Sequence, residues 1–485
     1  CQTWKHIKLA ENLGNNNNII NIYKSKYFNL IKSLGTSISE IEKSIKNGRE
    51  MLKSECAIRN IIREASKVKP DKIARTNKNI LMVSSSLGRG GAERQVVSCL
   101  EGLSREKTIS KINLYCYSLD VDQTQTYISE IRDIGVPISE YGSSPEWYEN
   151  YSKKDELLLP WKEFLEQLPP KMKSNIEVLY NAFCLQKPDI IHAWQDQTNV
   201  DVAIAGLMAG VPGIVLFARS MRPDQKTIMH IRSKKYLRRT YQYLMKNSRT
   251  LLCQNSDAGA LSYSEWLNLK TNKIEVIHNG VDLTSIIAAS EGVNLKNELK
   301  CLGIPKNSQI IGSVFRIVDE KRPKLWVDSV AKLIKNNDKL HGIIVGGGGL
   351  FHTLEQYIKD RNLSDRIHLI GQSKQIKAWL ECFDMFLLTS RIEGLPNVLI
   401  EAQSFGIPVI STEAGGAADT FINGVTGVLV KKGDEKLIPS IIETKLNDEK
   451  WILNAKSQAS INAREKFSQS KMISRLMEIY NKSIR

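Results

Sequence analysis

From Asn79 onward, short apolar runs alternate with helix-length segments, and no other feature of the 485 residues constrains the fold as tightly. Ile80 to Ser85 is an apolar run ending in small residues. A glycine turn (Gly88, Gly90, Gly91) and a helix opening at Ala92 follow it. Further strands are predicted near Ile112 and at Ile190 to Ala193, Ile214 to Phe217, Leu251 to Cys253 and Ile274 to Ile277. A second series is predicted at Ile310 to Val314, Gly342 to Val345, Ile367 to Ile370, Met385 to Leu388, Val409 to Ser411 and Gly427 to Val430. Helices are predicted to start near Lys321, Phe351, Gln375, Pro396 and Glu435, and a last one to run from about Lys471 to Ser483. Strands interleaved with helices in this way imply parallel sheets covered by helices. The segment His278 to Asp282 has turn chemistry and no periodicity, so the hinge between two such units is placed there. No repeat beyond the alternation is present, which argues against a solenoid.

The chain divides accordingly. Residues 1–76 are expected to be a helical extension. Residues 77–282 form a first Rossmann-like domain, 283–465 a second, and 466–485 a final helix. In the extension an Asn run (Asn15 to Asn18) is followed by Ile38, Ile41, Ile45 and Leu52 at helical spacing. Cys1 in place of Met is expected of a fragment or a processed chain, and no signal peptide is read. The longest apolar run, Val202 to Ala218, is broken by Gly206, Gly210, Pro212 and Gly213. That punctuation reads as a buried helix, a turn and a buried strand rather than a membrane span.

The net charge of +16 favours anionic partners such as nucleotides, phospholipid headgroups or acidic glycans, or else serves solubility alone. Eight cysteines with no C-x-x-C spacing read as reduced core thiols, and no zinc ligand set is visible.

The residues that carry chemistry sit at the predicted strand ends. Glu393-Gly394-Leu395-Pro396-Asn397-Val398-Leu399-Ile400-Glu401 lies between a strand and an apolar helix. Pro396 suits the first helical turn, and a helix opening after a strand aims free N–H groups at a diphosphate. Glu393 in the loop and Glu401 one turn into the helix can hold sugar and ribose hydroxyls. Alternatively, Glu393 is a helix cap and Glu401 a solvated helix residue. Arg316 and Lys321, after the strand Ile310 to Val314, can clamp a diphosphate and stabilise its charge as a leaving group. They can equally be surface charges. Gly90-Gly91-Ala92-Glu93 lets backbone approach a phosphate, but it is neither a full G-x-G-x-x-G nor a Walker loop. Gly346 to Gly349 and Gly415-Gly416 are further strand-end glycine loops. Asp120-Val121-Asp122 looks like a chance match to a metal-binding Asp-x-Asp. His192 and His278 are the histidines nearest the expected cleft, although a lone His is more often structural. A basic segment, His230 to Lys246, could lie on an anionic membrane or be a solvated helix face.

Together these residues resemble glycosyltransferase family 4, the large retaining GT-B group, over about residues 79 to 465. The likeness is most specific in Ser390 to Ala402, in Gly406-Ile407-Pro408-Val409 and in Gly415-Gly416, with Gly90-Gly91-Ala92-Glu93 and Asn279-Gly280-Val281-Asp282 beside them. It implies a GT-B fold, two Rossmann-like domains facing across a cleft. Glu393, Arg316 and Lys321 would be catalytic. Glu401, Gly90, Gly91, Gly394, Leu395, Asn397, Val398, Gly415 and Gly416 would bind the donor. His192, Arg219 and Arg222 would lie on the acceptor side of the cleft. The donor would be a UDP- or GDP-sugar, with no cofactor or metal and with retention of configuration. The acceptor would be a glycan, possibly lipid-linked, with no nucleic acid partner, and the location cytoplasmic or peripheral at the inner membrane face. Trp194 stands where many members carry a second histidine, and Asp419 where many carry Glu. Arg219 to Pro223 resembles a subset tied to bacterial surface polysaccharides. The rival readings are a nucleotide-sugar 2-epimerase of the same fold and a non-catalytic subunit that binds polyanions or a partner.

Overall fold

A computed structural model describes residues 53–70, 77–88, 90–119, 126–141, 158–225, 231–282 and 295–484, with the side chains of 231–235 and 296–297 left aside. Two parallel sheets form two domains, and the fold is GT-B.

The first sheet holds β1 (Lys78–Ser84), β2 (Ile109–Cys116), β3 (Ile138–Glu140), β4 (Ile190–Trp194), β5 (Gly213–Ala218), β6 (Thr250–Gln254) and β7 (Ile274–Val276). Their order is β3-β2-β1-β4-β5-β6-β7. The second sheet holds β8 (Gln309–Val314), β9 (Leu340–Val345), β10 (Ile367–Gly371), β11 (Met385–Leu388), β12 (Val409–Thr412) and β13 (Gly427–Val430), ordered β10-β9-β8-β11-β12-β13. The central strands β4, β5 and β9 are buried along their whole length, as strands covered by helices on both faces must be. Strand order reverses between β1 and β4 and between β8 and β11. Those two switch points open a crevice at the C-terminal strand ends of each sheet.

Besides the short helices Lys162–Leu165 and Lys296–Cys301, the helices are α1 (residues 53–65), α2 (Gly91–Ser104), α3 (Ile128–Asp133), α4 (Pro170–Gln186), α5 (Asp196–Met208), α6 (Ile231–Leu244) and α7 (Asp257–Leu267) in the first half. In the second half they are α8 (Pro323–Ile334), α9 (Phe351–Lys359), α10 (Ile376–Glu381), α11 (Asn397–Ser404), α12 (Ile438–Leu446), α13 (Glu449–Phe467) and α14 (Gln469–Ser483). The apolar run of 202–218 is divided between α5 and β5. No described helix is long and apolar enough to cross a membrane.

Helix α1 packs Ala57, Ile58, Ile61, Ile62 and Ala65 into the same core as Ile204, Leu207 and Tyr241. Arg249 donates from Nη2 to the Ala65 carbonyl (3.1 Å), so a cation meets the helix's C-terminal carbonyls. The stripe from Ile38 to Leu52 lies outside the described residues.

The chain crosses between the domains twice, and the crossings pair. The Val281 N–H donates to the Phe467 carbonyl (2.8 Å), and the Gln469 N–H donates to the Val281 carbonyl (3.2 Å). Helix α14 then buries Met472, Ile473, Leu476, Ile479 and Tyr480 against Ile80, Val96 and Leu100 of the first domain. Each such side chain contributes about 1.5–3 kcal/mol, enough to dock the C-terminus onto the first domain. Gly280 is fixed by this crossing: a Cβ there would stand 2.8 Å from Met472 and 2.9 Å from the Gln469 backbone.

Candidate functional site

The second domain supplies the charged part of the site. Beyond β8, the Ile317 N–H donates to the Gly347 carbonyl (2.8 Å), so the glycine loop 346–349 supports the loop that carries Arg316. Gly346 has φ +143°, and a Cβ there would meet the Phe315 carbonyl oxygen at 2.0 Å, so only glycine fits. Arg316 is exposed, and its side chain has no partner among the described residues. Arg322, in the left-handed region at φ +48°, ties this loop to the one after β11. Its guanidinium donates to the carbonyls of Thr389 (2.6 Å) and Ser390 (3.1 Å) and pairs with Glu435 (2.8 Å).

That strap brings Lys321 against Glu393. The Lys321 ammonium donates to Glu393 Oε1, and the Ser390 hydroxyl donates to the same oxygen (2.6 Å). Both side chains are largely buried, so the contact is screened less than a surface pair. Glu393 Oε2 has no protein partner among the described residues. Glu393 is therefore a positioned carboxylate rather than a helix cap. Pro396 stands at the N-cap of α11, one residue before the helical turn expected of it.

Glu401 is not the solvated helix residue of the alternative reading. It is buried, and the guanidinium of Arg94, one turn into α2 of the other domain, reaches its Oε1 at 2.5 Å. Glu401 in turn raises the Arg94 pKa, chiefly by its charge. Arg94 had no role in the sequence reading. Its place behind Gly90-Gly91 is the one signal available there, and a partner 307 positions away gives no local pattern.

The first domain contributes backbone more than charge. Gly90 is the extended N-cap of α2, and a Cβ on it would stand 2.0 Å from Glu93 Oε2. Glu93 thus folds back over the glycine turn, and Gln195 holds it there (Nε2 to Oε1, 3.0 Å) while accepting from the Ser85 hydroxyl (2.6 Å). Gln195 has φ +73°, a strained conformation for a residue with a side chain, at the N-cap of α5. Gly91 meets the other domain directly: its carbonyl accepts from Asn397 Nδ2 (3.2 Å).

Several predicted site residues turn their side chains into the protein. Asn397 uses both ends of its amide inside the protein, since Asn279 Nδ2 donates to its Oδ1 (2.5 Å). Leu395 is buried with Val281, Ile400 and Phe467 beside the hinge. Val398 packs, half-buried, on the core of the second domain. Gly394 and Gly416 are packing points: a Cβ on Gly394 would meet the Arg219 carbonyl at 2.3 Å, and one on Gly416 would meet the Gly394 carbonyl at 1.7 Å. Gly415, at φ +61°, abuts Met221. Their smallness lets the domains touch.

On the expected acceptor side, His192 is corrected outright. It is the third residue of a fully buried strand, its Nδ1 hydrogen-bonds the Tyr480 hydroxyl (2.8 Å), and burial holds its pKa down at about 3. It belongs to the interface between α14 and the sheet, not to the cleft. Arg219 stacks over Trp194 and Phe217 (4.8 and 4.6 Å) and donates to Asn279 Oδ1 (2.6 Å). Burial pulls its pKa down to about 10. Arg222 lies within 3.2 Å of Asp224. His278 sits against Phe467, with Asp257 at 3.6 Å. Asp419 reaches across to α7, accepting from the Ala258 N–H (3.0 Å). Asp120 to Asp122 lie outside the described residues, and among those described no three His, Cys, Asp or Glu side chains cluster as metal ligands.

Between the domains lies a cavity of about 290 Å³ that ends on Glu401. Arg94, Lys374 and Lys377 face it, and so do Glu101, Glu130 and Asp282. Glu393 and Lys321 do not line it. The site therefore has two unlike parts, one around the cations Arg316 and Lys321 and one of mixed charge around Glu401.

Known proteins resemble the chain in sequence and in fold. The sequence model of the family "Glycosyl transferases group 1" matches residues 296–466. The Vi polysaccharide biosynthesis protein VipC/TviE of Salmonella typhi is 31% identical over 364 residues, 72% of this chain. The chain spans 62% of that relative's length. The UDP-Gal:α-D-GlcNAc-diphosphoundecaprenol α-1,3-galactosyltransferase of Escherichia coli is 30% identical over 322 residues, 64% of this chain and 79% of the relative. Among solved structures, Anabaena HepE in complex with UDP superposes with a TM-score of 0.65 at 20% identity, covering 82% of this chain and 98% of that one. On these matches and this fold, the chain belongs to the group 1 glycosyl transferases.

Proposed function

We propose that the protein is a retaining hexosyltransferase that moves a sugar from a UDP- or GDP-sugar to a lipid-linked glycan during cell-surface polysaccharide synthesis, without a metal. The observation that carries this is the Lys321–Glu393 contact, which joins the loops beyond β8 and β11 at the switch point of the second sheet; the exposed Arg316, without a side-chain partner among the described residues, stands on the first of those loops. Arg316 and Lys321 take the donor diphosphate, and their charge replaces that of a cation. Glu393 Oε2 accepts from a donor-sugar hydroxyl. Glu401 takes the ribose. The anomeric C–O bond to the diphosphate breaks, the acceptor hydroxyl oxygen bonds to the same carbon on the same face, and its proton passes to the departing phosphate. UDP is favoured over GDP because the Escherichia coli relative is named for UDP-Gal and HepE was solved with UDP and UDP-glucose. The same relative's diphosphoundecaprenol substrate supports a lipid-linked acceptor. The exposed Arg238 on α6 then suits a peripheral contact with an anionic cytoplasmic leaflet, while Arg239 beside it is paired with Glu55 of α1.

Transfer from a panel of UDP- and GDP-sugars to a diphosphoundecaprenol-linked N-acetylhexosamine tests the reading. Transfer with retention is expected. Isomerisation of the donor without an acceptor would favour the epimerase reading instead.

A further inference from the structure

The cavity that ends on Glu401 has a charge balance unlike that of a phosphate site. Three cations line it: Arg94, Lys374 and Lys377. Four carboxylates answer them: Glu101, Glu130, Asp282 and Glu401. A lining with a surplus of acid disfavours an anion and suits a neutral group rich in hydroxyls. Within it, Arg94 occupies one oxygen of Glu401 at 2.5 Å, and Oε2 has no protein partner among the described residues. The Glu401 side chain is only 4% exposed, so any ligand hydroxyl must approach by way of the cavity. Lys377 also feels the Glu401 charge. The direct ion pair to this carboxylate is made by Arg94, which comes from the opposite domain.

We propose that Arg94 is a positioning residue for the nucleoside: by holding Oε1 of Glu401 across the domain interface, it leaves Oε2 as the one carboxylate oxygen for the donor's ribose. This rests on the reading of Glu401 as the ribose carboxylate. A free carboxylate offers its two oxygens to the 2′- and 3′-hydroxyls alike. A carboxylate with one oxygen engaged favours one hydroxyl over the other. Ribose recognition then depends on the first domain being seated against the second, because the guanidinium that shapes it belongs to α2.

Calorimetric titration of the full chain with UDP, 2′-deoxy-UDP and 3′-deoxy-UDP tests this, with thermal unfolding as the check on folding. The wild type is expected to lose about tenfold in affinity or more for one deoxy analogue and less than about threefold for the other. In Arg94→Ala the two losses become equal within about threefold, and UDP itself binds about tenfold more weakly. Arg94→Lys keeps the uneven pattern. Arg94→Gln gives the same reading as Arg94→Ala if the alanine variant fails to fold. Wild-type affinities for all three ligands in Arg94→Ala, or one common loss for all three, would overturn the proposal, since the latter is what a merely structural contact produces. Equal losses for both analogues in the wild type would also overturn it. Separately, Glu401→Gln binding UDP as tightly as the wild type would remove the ribose reading itself, whatever Arg94 does.

Discussion

The two domains share one topology and divide the chemistry unequally. In the second domain the loops beyond β8 and β11 carry Arg316, Lys321 and Glu393, and the last two meet at the switch point. In the first domain the corresponding strand ends turn their side chains inward: His192 to Tyr480, Trp194 under Arg219, and Gln195 back onto Glu93. What the first domain presents is the Gly91 backbone, the cation Arg94 and, on the cavity wall, the carboxylates of Glu101 and Glu130. The difference follows from position. Glu393 lies in a loop five residues past the end of β11, free to be aimed by Lys321 and Ser390, whereas His192 lies inside a strand buried on both faces. Shared topology puts loops at the same edge, but only residues beyond the strand reach a ligand.

The sharpest way to break this comparison is to disarm the second domain. Lys321→Ala and Glu393→Gln are each expected to slow transfer about a hundredfold, or about 3 kcal/mol, with unfolding temperatures close to wild type. Near-normal turnover in both would move the chemistry elsewhere. Next in size is the seam between the domains. Gly416→Ala places a methyl 2.7 Å from Ser256 of the first domain, as well as 1.7 Å from the Gly394 carbonyl of its own, and is expected to cost about 2 kcal/mol in denaturant unfolding, with activity lost in parallel. An unperturbed midpoint would show that the seam is looser than described.

The inward face of the first domain makes a pH prediction. His192 has its pKa depressed from 6.5 to about 3 in the folded protein, so folding favours its neutral form. Its contribution is fully present above about pH 6.5 and is lost as the pH falls toward 3, about 2 kcal/mol being gone by pH 5. His192→Gln should remove that part of the acid slope. An unchanged slope would mean that His192 does not titrate in this window. The smallest effect expected is that of Tyr480→Phe, which strips His192 Nδ1 of its partner. It should cost about 1 kcal/mol of stability and leave transfer intact, because that pair serves the docking of α14.

Much of this was legible in the sequence for a physical reason. Strands buried on both faces read as apolar runs, so twelve of the thirteen strands coincide with the predicted runs. The exception, Ile138–Glu140, is a half-buried edge strand of three residues, too short and too mixed to stand out. Charged residues just past a strand end were legible too, which is how Lys321 and Glu393 were singled out. What the sequence hid were partners across the domain interface: Arg94 for Glu401, Asn279 for Asn397, Met221 for Gly415. Such pairs lie far apart in sequence and leave no periodicity. His192 misled because a histidine near a strand end looks the same whether its ring faces a ligand or the final helix, which is encoded almost three hundred residues later.

The central claim is that cationic side chains of the second domain, without a metal, hold a nucleoside diphosphate. Calorimetric titration of UDP, GDP and ADP, with and without EDTA, tests it most directly. The account predicts that UDP binds in preference to the other two, that EDTA leaves its affinity unchanged, and that Lys321→Ala weakens it. Binding that vanishes with EDTA, or no binding of any of the three, would contradict it.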